Sequence, residues 1–222
     1  MKINLVFCTF ILFSLSVIAQ DKETFTNDEY TVVFQNEDPN FNTDVKDGLI
    51  ETFFLVYPKM VEVFNPKALK SLEIKIDTAY NGVAYASNGK ITISSEWLLK
   101  KPEDLDVITH EAMHIVQAYP NNSGPGWLTE GIADYVRYKY GNDNKSAGWS
   151  LPEYNSTNNY TQSYRVTARF LLWTTQQFDE ELVVKMDRNL REKTYTSDLW
   201  IKYTDKTLDE LWKEYSKNPG II

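Results

Sequence analysis

A chain of 222 residues, 42% hydrophobic, 24% charged and 14% aromatic, carries enough apolar material for one buried core. That composition excludes disordered and collagen-like classes. With 31 acidic against 23 basic residues the formal charge is −8, which argues against nucleic acid or anionic lipid as a partner.

The chain opens on MKINLVFCTFILFSLSVIAQD, one lysine followed by an uncharged apolar run that ends beside the small residue Ala19. This pattern predicts a secretory signal peptide over residues 1–20, with an uncleaved anchor as the alternative because a run of about 17 residues marginally spans a bilayer. The sole cysteine, Cys8, lies inside it. A mature chain over residues 21–222 therefore has no thiol for catalysis or disulfides, and packing, alone or together with a bound metal, must hold it together outside the cell or in the periplasm.

From there, Glu29 to Gln35 is rich in β-branched and aromatic residues and reads as a strand. Val45 to Phe64 has helical periodicity, with Pro58 expected to break or kink it. Ser71 to Thr78 alternates apolar and polar residues, and Val83 to Ala86, the turn Ser87-Asn88-Gly89 and Lys90 to Ile93 read as a hairpin. Helical patterns follow over Glu103 to Tyr119, Leu128 to Tyr140, Tyr160 to Gln177, Glu180 to Leu190 and Leu208 to Tyr215. Strands gathered early and helices late predict an α+β fold with its site near the seam, in a single domain.

The only two histidines stand four apart in His110-Glu111-Ala112-Met113-His114. On a helix this HExxH spacing stacks two imidazoles one turn apart, able to hold one Zn²⁺, while Glu111 flanks the metal without ligating it and can act as general base. Leu105, Ile108, Ala112, Ile115, Val116 and Tyr119 share the opposite, apolar face, so His110, His114 and Gln117 do not belong to the core stripe. Pro120 and the segment NNSGPG must turn the chain into a second, antiparallel helix. His114 and Glu130 then both sit roughly 5 to 8 Å from that connection, which lets Glu130 complete a His-His-Glu set with an open fourth position. Asp134, one turn beyond Glu130, is placed to accept a hydrogen bond from a ligating histidine and fix its tautomer. The plain alternative is a pair of surface histidines beside solvated helix acids.

The segment HEAMHIVQAYPNNSGPGWLTEGIADYVRYKYG, with SYRVTARFLLW and KTLDELWKEY further on, resembles the basic secretory proteins of plants and bacteria, a family classed as peptidases. The likeness covers most of the mature chain, although a sequence pI near 4.9 departs from the family's basic character. WLTEGIADY is also similar to the zinc-ligand segment of the aminopeptidase N class of gluzincins. The resemblance implies a zincin-like fold: a small N-terminal mixed-sheet lobe with helices, a mainly helical C-terminal lobe, and the site between them. It also implies Glu130 as third zinc ligand, Asp134 behind the site and Tyr164 as the oxyanion-stabilising residue, although Thr167 stands where those enzymes carry glycine.

Arg165 and Arg169 are lesser candidates for oxyanion or substrate-carboxylate contacts. Val83 to Ala86 is a candidate edge strand for aligning substrate, or else a plain core hairpin. The expected function is a secreted zinc metallopeptidase, monomeric and with one zinc per chain, acting on peptides or proteins. The alternatives are a non-catalytic binding protein on the same scaffold, recognising glycan or a protein partner, and a zinc hydrolase of non-peptide amides or esters.

Overall fold

The computed structural model describes residues 21–222; the expected signal peptide lies outside the described residues. Strand β1 (Asp21–Asn27) turns through Asp28, at φ 51°, into β2 (Tyr30–Asn36), and the two pair antiparallel. The sequence reading missed β1, because a polar edge strand such as DKETFTN has no apolar alternation to announce it. Helix α1 (Thr43–Phe64) then crosses over to β3 (Ser71–Asp77), which lies parallel to β2.

Helix α1 runs unbroken through Pro58, so the break expected as one alternative there is absent. An internal proline costs about 3 kcal/mol. Burial of Phe53, Val56 and Tyr57 before it, and of Met60, Val61 and Phe64 after it, outweighs that cost.

The hairpin is present as β4 (Ala84–Ser87) and β5 (Lys90–Ser94), turning through Asn88 and Gly89 with φ of 51° and 76°. The five-stranded mixed sheet has the order β1-β2-β3-β5-β4, so β4 is an edge strand and not a core one. Val32, Phe34, Ile74, Ile76, Ile91 and Ile93 are buried in it. A six-residue helix, α2 (Ser95–Lys100), follows directly, capped by the Ser94 hydroxyl; it is too short for periodicity to reveal.

The remainder is helical: α3 (Val107–Gln117), α4 (Gly126–Tyr140), a 3-10 turn (Tyr160–Gln162), α5 (Tyr164–Gln177), α6 (Leu182–Arg191), α7 (Asp198–Thr204) and α8 (Leu208–Lys217). Helix α3 starts four residues later than expected because the acids before it are used elsewhere. Asp104 pairs with Arg137, and Asp106 accepts from Thr109 Oγ1 (2.7 Å) and from the backbone of Asn142 (2.8 Å) and Asp143 (2.6 Å). Its C-terminus is fixed by Ala118 at φ 45° and by Asn65, whose amide donates to the Val116 carbonyl at 2.8 Å.

Helix α3 packs against α1 on one side and α4 on the other, and α4 against α5. At the α4–α5 contact a Cβ on Gly131 would lie 2.2 Å from Thr167 Cγ2, so glycine is required there and the helices approach closely. The fold is α+β, as expected. Among the described residues no helix is long and apolar enough to cross a membrane.

Candidate metal centre

His110 and His114 project one turn apart from α3 toward Glu130 on α4, as the loop length predicts. Their Nε2 atoms are 3.2 Å apart, and Glu130 Oε2 lies 3.3 Å from the first and 3.5 Å from the second. Each imidazole is oriented from behind. His110 Nδ1 is 2.7 Å from Asp134 Oδ1, and a carboxylate only accepts, so Nδ1 donates. His114 Nδ1 is 2.7 Å from Gln117 Oε1, while the same amide donates from Nε2 to the Thr129 carbonyl at 3.0 Å, which settles which end of the amide faces the ring. Both Nε2 lone pairs then face one point together with the carboxylate oxygen.

That triangle fits a metal. Three ligands at about 2.0 to 2.1 Å around a tetrahedral zinc are separated by about 3.3 Å; the separations here are 3.2, 3.3 and 3.5 Å. Among the described residues these three side chains are the group of metal-ligating type whose donor atoms converge. Without a cation or a proton between them, two imidazole lone pairs at this distance have nothing to bind.

The electrostatics agree. Burial alone would lower the His110 imidazole, but hydrogen bonds to Asp134 and Glu130 and the nearby charges of Asp134 and Glu111 push it up to about 10. Burial would raise the Glu130 carboxyl, and its contacts with both imidazoles hold it down at about 2. Glu111 is buried and its carboxyl is raised, by desolvation first, against the opposing pull of the two histidines. Three carboxylates around two imidazoles make a pocket that favours positive charge.

Tyr164 lies across the cleft, 55% exposed, its ring 6.2 Å from that of His110 and tilted by 21°. The negative charge of Glu130, then burial, raises its hydroxyl. Its backbone stands at φ 49° after Ser163 at φ 66°, ψ −176°, a left-handed pair that costs on the order of 1–3 kcal/mol per residue and swings the ring over the site. Arg165 also lines the cleft. Arg169 does not reach it: it is buried against Glu153 at 2.9 Å and the Pro219 carbonyl at 3.4 Å, a structural pairing that withdraws it as a substrate contact.

The cleft measures about 1120 Å³ and runs along β4, with Val83 to Ala86 in its wall. Sequence reasoning placed Gln117 on the histidine face but gave it no role. The sequence shows only a polar residue three positions after His114 in an otherwise apolar turn; its burial is a finding of the structure.

A family model described as peptidase of plants and bacteria matches residues 12–215. No curated protein matches. Among solved structures the chain is similar to an M1 zinc metallopeptidase from Deinococcus radiodurans, at 10% identity and TM-score 0.52 over 89% of this chain and 51% of that one. A mutant form of that enzyme gives TM-score 0.54 at 10% identity, over 91% and 53%. A two-domain M1 zinc metallopeptidase mutant bound to L-tryptophan gives 0.53 at 11% identity, over 91% and 52%. The chain thus spans about half the length of these enzymes, and the likeness is one of fold. On the match across nearly its whole length, the chain belongs to the family of peptidases of plants and bacteria.

Proposed function

We propose that the chain is a secreted zinc metallopeptidase, a single domain over residues 21–222 acting as a monomer on peptides or proteins. His110, His114 and Glu130 would hold one zinc, which supplies a water acidified to a pKa of about 7 and an electrophile for the scissile carbonyl. Glu111 takes the proton from the attacking water. Its burial, which raises its carboxyl, suits a base that must then pass the same proton to the leaving amine. Tyr164 donates its hydroxyl to the oxygen that becomes negative, and its raised pKa keeps that proton in place near neutrality. Substrate adds to the free edge of β4 as an antiparallel strand through main-chain hydrogen bonds.

The observation that carries this reading is the near-equilateral triangle of two Nε2 atoms and one Oε2, with both Nδ1 atoms engaged behind it. Zinc content of purified protein, wild type beside Glu111→Gln and Glu130→Ala, tests it together with hydrolysis of a quenched peptide library. One zinc per chain, kept without turnover in Glu111→Gln and lost in Glu130→Ala, is the expected result. Stoichiometric zinc with no wild-type turnover would replace the peptidase with a binding role.

A further inference from the structure

The geometry points to a pocket for a large apolar or aromatic side chain on the substrate residue immediately C-terminal to the scissile bond, walled by Trp97, Val107 and Trp149 and floored by the Arg137–Asp104 ion pair. This rests on the peptidase reading and adds a substrate class to it.

The four polar and aromatic members form one connected wall. The Trp97 indole donates to Asp104 Oδ2 at 2.9 Å, Arg137 Nη2 donates to Asp104 Oδ1, and Arg137 Nε donates to Asn144 Oδ1 at 2.9 Å. The guanidinium lies 4.5 Å from the centre of the Trp149 ring. Trp97, Asp104, Val107, Arg137 and Trp149 all line the cleft that holds the histidines.

Position follows from helix geometry. Val107 is one turn before His110 on α3, Arg137 is one turn after Asp134 on α4, and His110 and Asp134 are hydrogen-bonded. The pocket therefore begins about 5 Å along α3 from His110 and about 10 Å along α4 from Glu130, within reach of a side chain next to the scissile bond. Its place along β4 follows from the sheet. Ala84 pairs with Ile93 and the Ser94 amide donates to the Val83 carbonyl, so α2 and Trp97 start beside the first residues of β4. A peptide added antiparallel to β4 lays its C-terminal half there.

The chemistry selects the occupant. Asp104 and Arg137 are 6% and 5% exposed, both Asp104 oxygens are engaged, and the two charges cancel. A substrate carboxylate or ammonium would enter without a partner and lose its hydration. An aromatic or long aliphatic side chain gains contact with two indoles and a valine. Lys101, the remaining cation at this end, is exposed on the rim, where water screens it.

The test reads the new N-termini released from an unbiased peptide library by zinc-loaded protein, using mass spectrometry. Phenylalanine, tyrosine, leucine and methionine should lead at that position, preferred over aspartate or lysine by about tenfold or more. Trp149→Ala should lower kcat/KM for a phenylalanine substrate about tenfold more than for its alanine counterpart, and Trp149→Phe should keep the preference. Uniform cleavage, a charged preference, or an aromatic preference on the amino side of the bond would overturn the assignment. Should the wild type cleave nothing, the peptidase reading fails while the pocket is still read by calorimetry on zinc-loaded Glu111→Gln. A blocked tetrapeptide with phenylalanine in third place should bind at least about tenfold tighter than its aspartate counterpart, and equal binding sinks the pocket.

Discussion

Two buried polar clusters adjoin α3, one just past its C-terminus and one along its length, and they are built on opposite principles. At its C-terminal end Tyr119 donates to Asp187 Oδ1 at 2.8 Å, Arg191 donates to Asp187 Oδ2 at 2.7 Å and to the Phe64 carbonyl at 2.6 Å. One acid, one base and one hydroxyl satisfy one another. Along the rest of the helix, Glu111, Glu130 and Asp134 surround His110 and His114, and the Nε2 atoms are left facing a carboxylate with nothing of opposite charge between them. A cluster that closes on itself joins helices; one that leaves donors converging and charge unbalanced is suited to hold a cation.

The sharpest way to probe that difference is to remove charge and keep shape. Glu111→Gln should lower kcat/KM by about 10²- to 10⁴-fold with zinc content unchanged, measured on one peptide substrate and by metal analysis of the same sample. Zinc loss in this variant would mean that Glu111 is a ligand and that the open cluster has been misassigned. Tyr164→Phe should cost about 10² in kcat with little change in KM; a loss confined to KM would make it a binding residue.

Smaller, and diagnostic of orientation, is Gln117→Leu. The substitution removes the acceptor behind His114 and the donor to Thr129 beside Glu130, so zinc affinity in a chelator competition should fall about 10- to 100-fold. Gln117→Glu should restore the acceptor but set a carboxylate against the Thr129 carbonyl, and so recover only part of it. Unchanged affinity in both would reduce Gln117 to a packing residue.

What the sequence disclosed divides along the same line. HExxH places two candidate ligands and a candidate base by spacing alone, and the length of the Pro120 to Gly126 connection brings Glu130 opposite them, because local helix geometry carries that information. Asp134 follows one turn on. Gln117 was not assigned because half of its role is a bond to a backbone carbonyl on the next helix, which no side-chain pattern records. The wall of Trp97, Arg137 and Trp149 was hidden for the same reason: three elements far apart in sequence supply it. In the fold, β1, α2 and α7 were missed, being too short or too polar to show an apolar period. The break expected at Pro58 is absent because burial on both sides of it outweighs a local rule.

The closed cluster makes the smallest prediction and the one that separates the two clusters most cleanly. Burial raises Asp187 to about 6 despite Arg191 and Tyr119, whereas an unfolded aspartate titrates near ~3.9. Below that value both states hold the proton and the group's contribution to stability is full. As pH rises toward 6 the unfolded chain releases the proton while the folded one keeps it, so stability falls, and above 6 the loss is complete. The distance between those two pKa values limits the loss to about 3 kcal/mol at most. Urea unfolding of zinc-free wild type and Asp187→Asn from about pH 4 to about pH 7 should therefore give a difference that falls across that window and is flat above it. Zinc content measured on separately loaded samples should be equal for the two proteins. A flat difference throughout would mean that Arg191 fully compensates the buried charge. A change in zinc content would mean that the clusters are coupled through Tyr119 and Gln117, and that the closed end of α3 helps to set the open one.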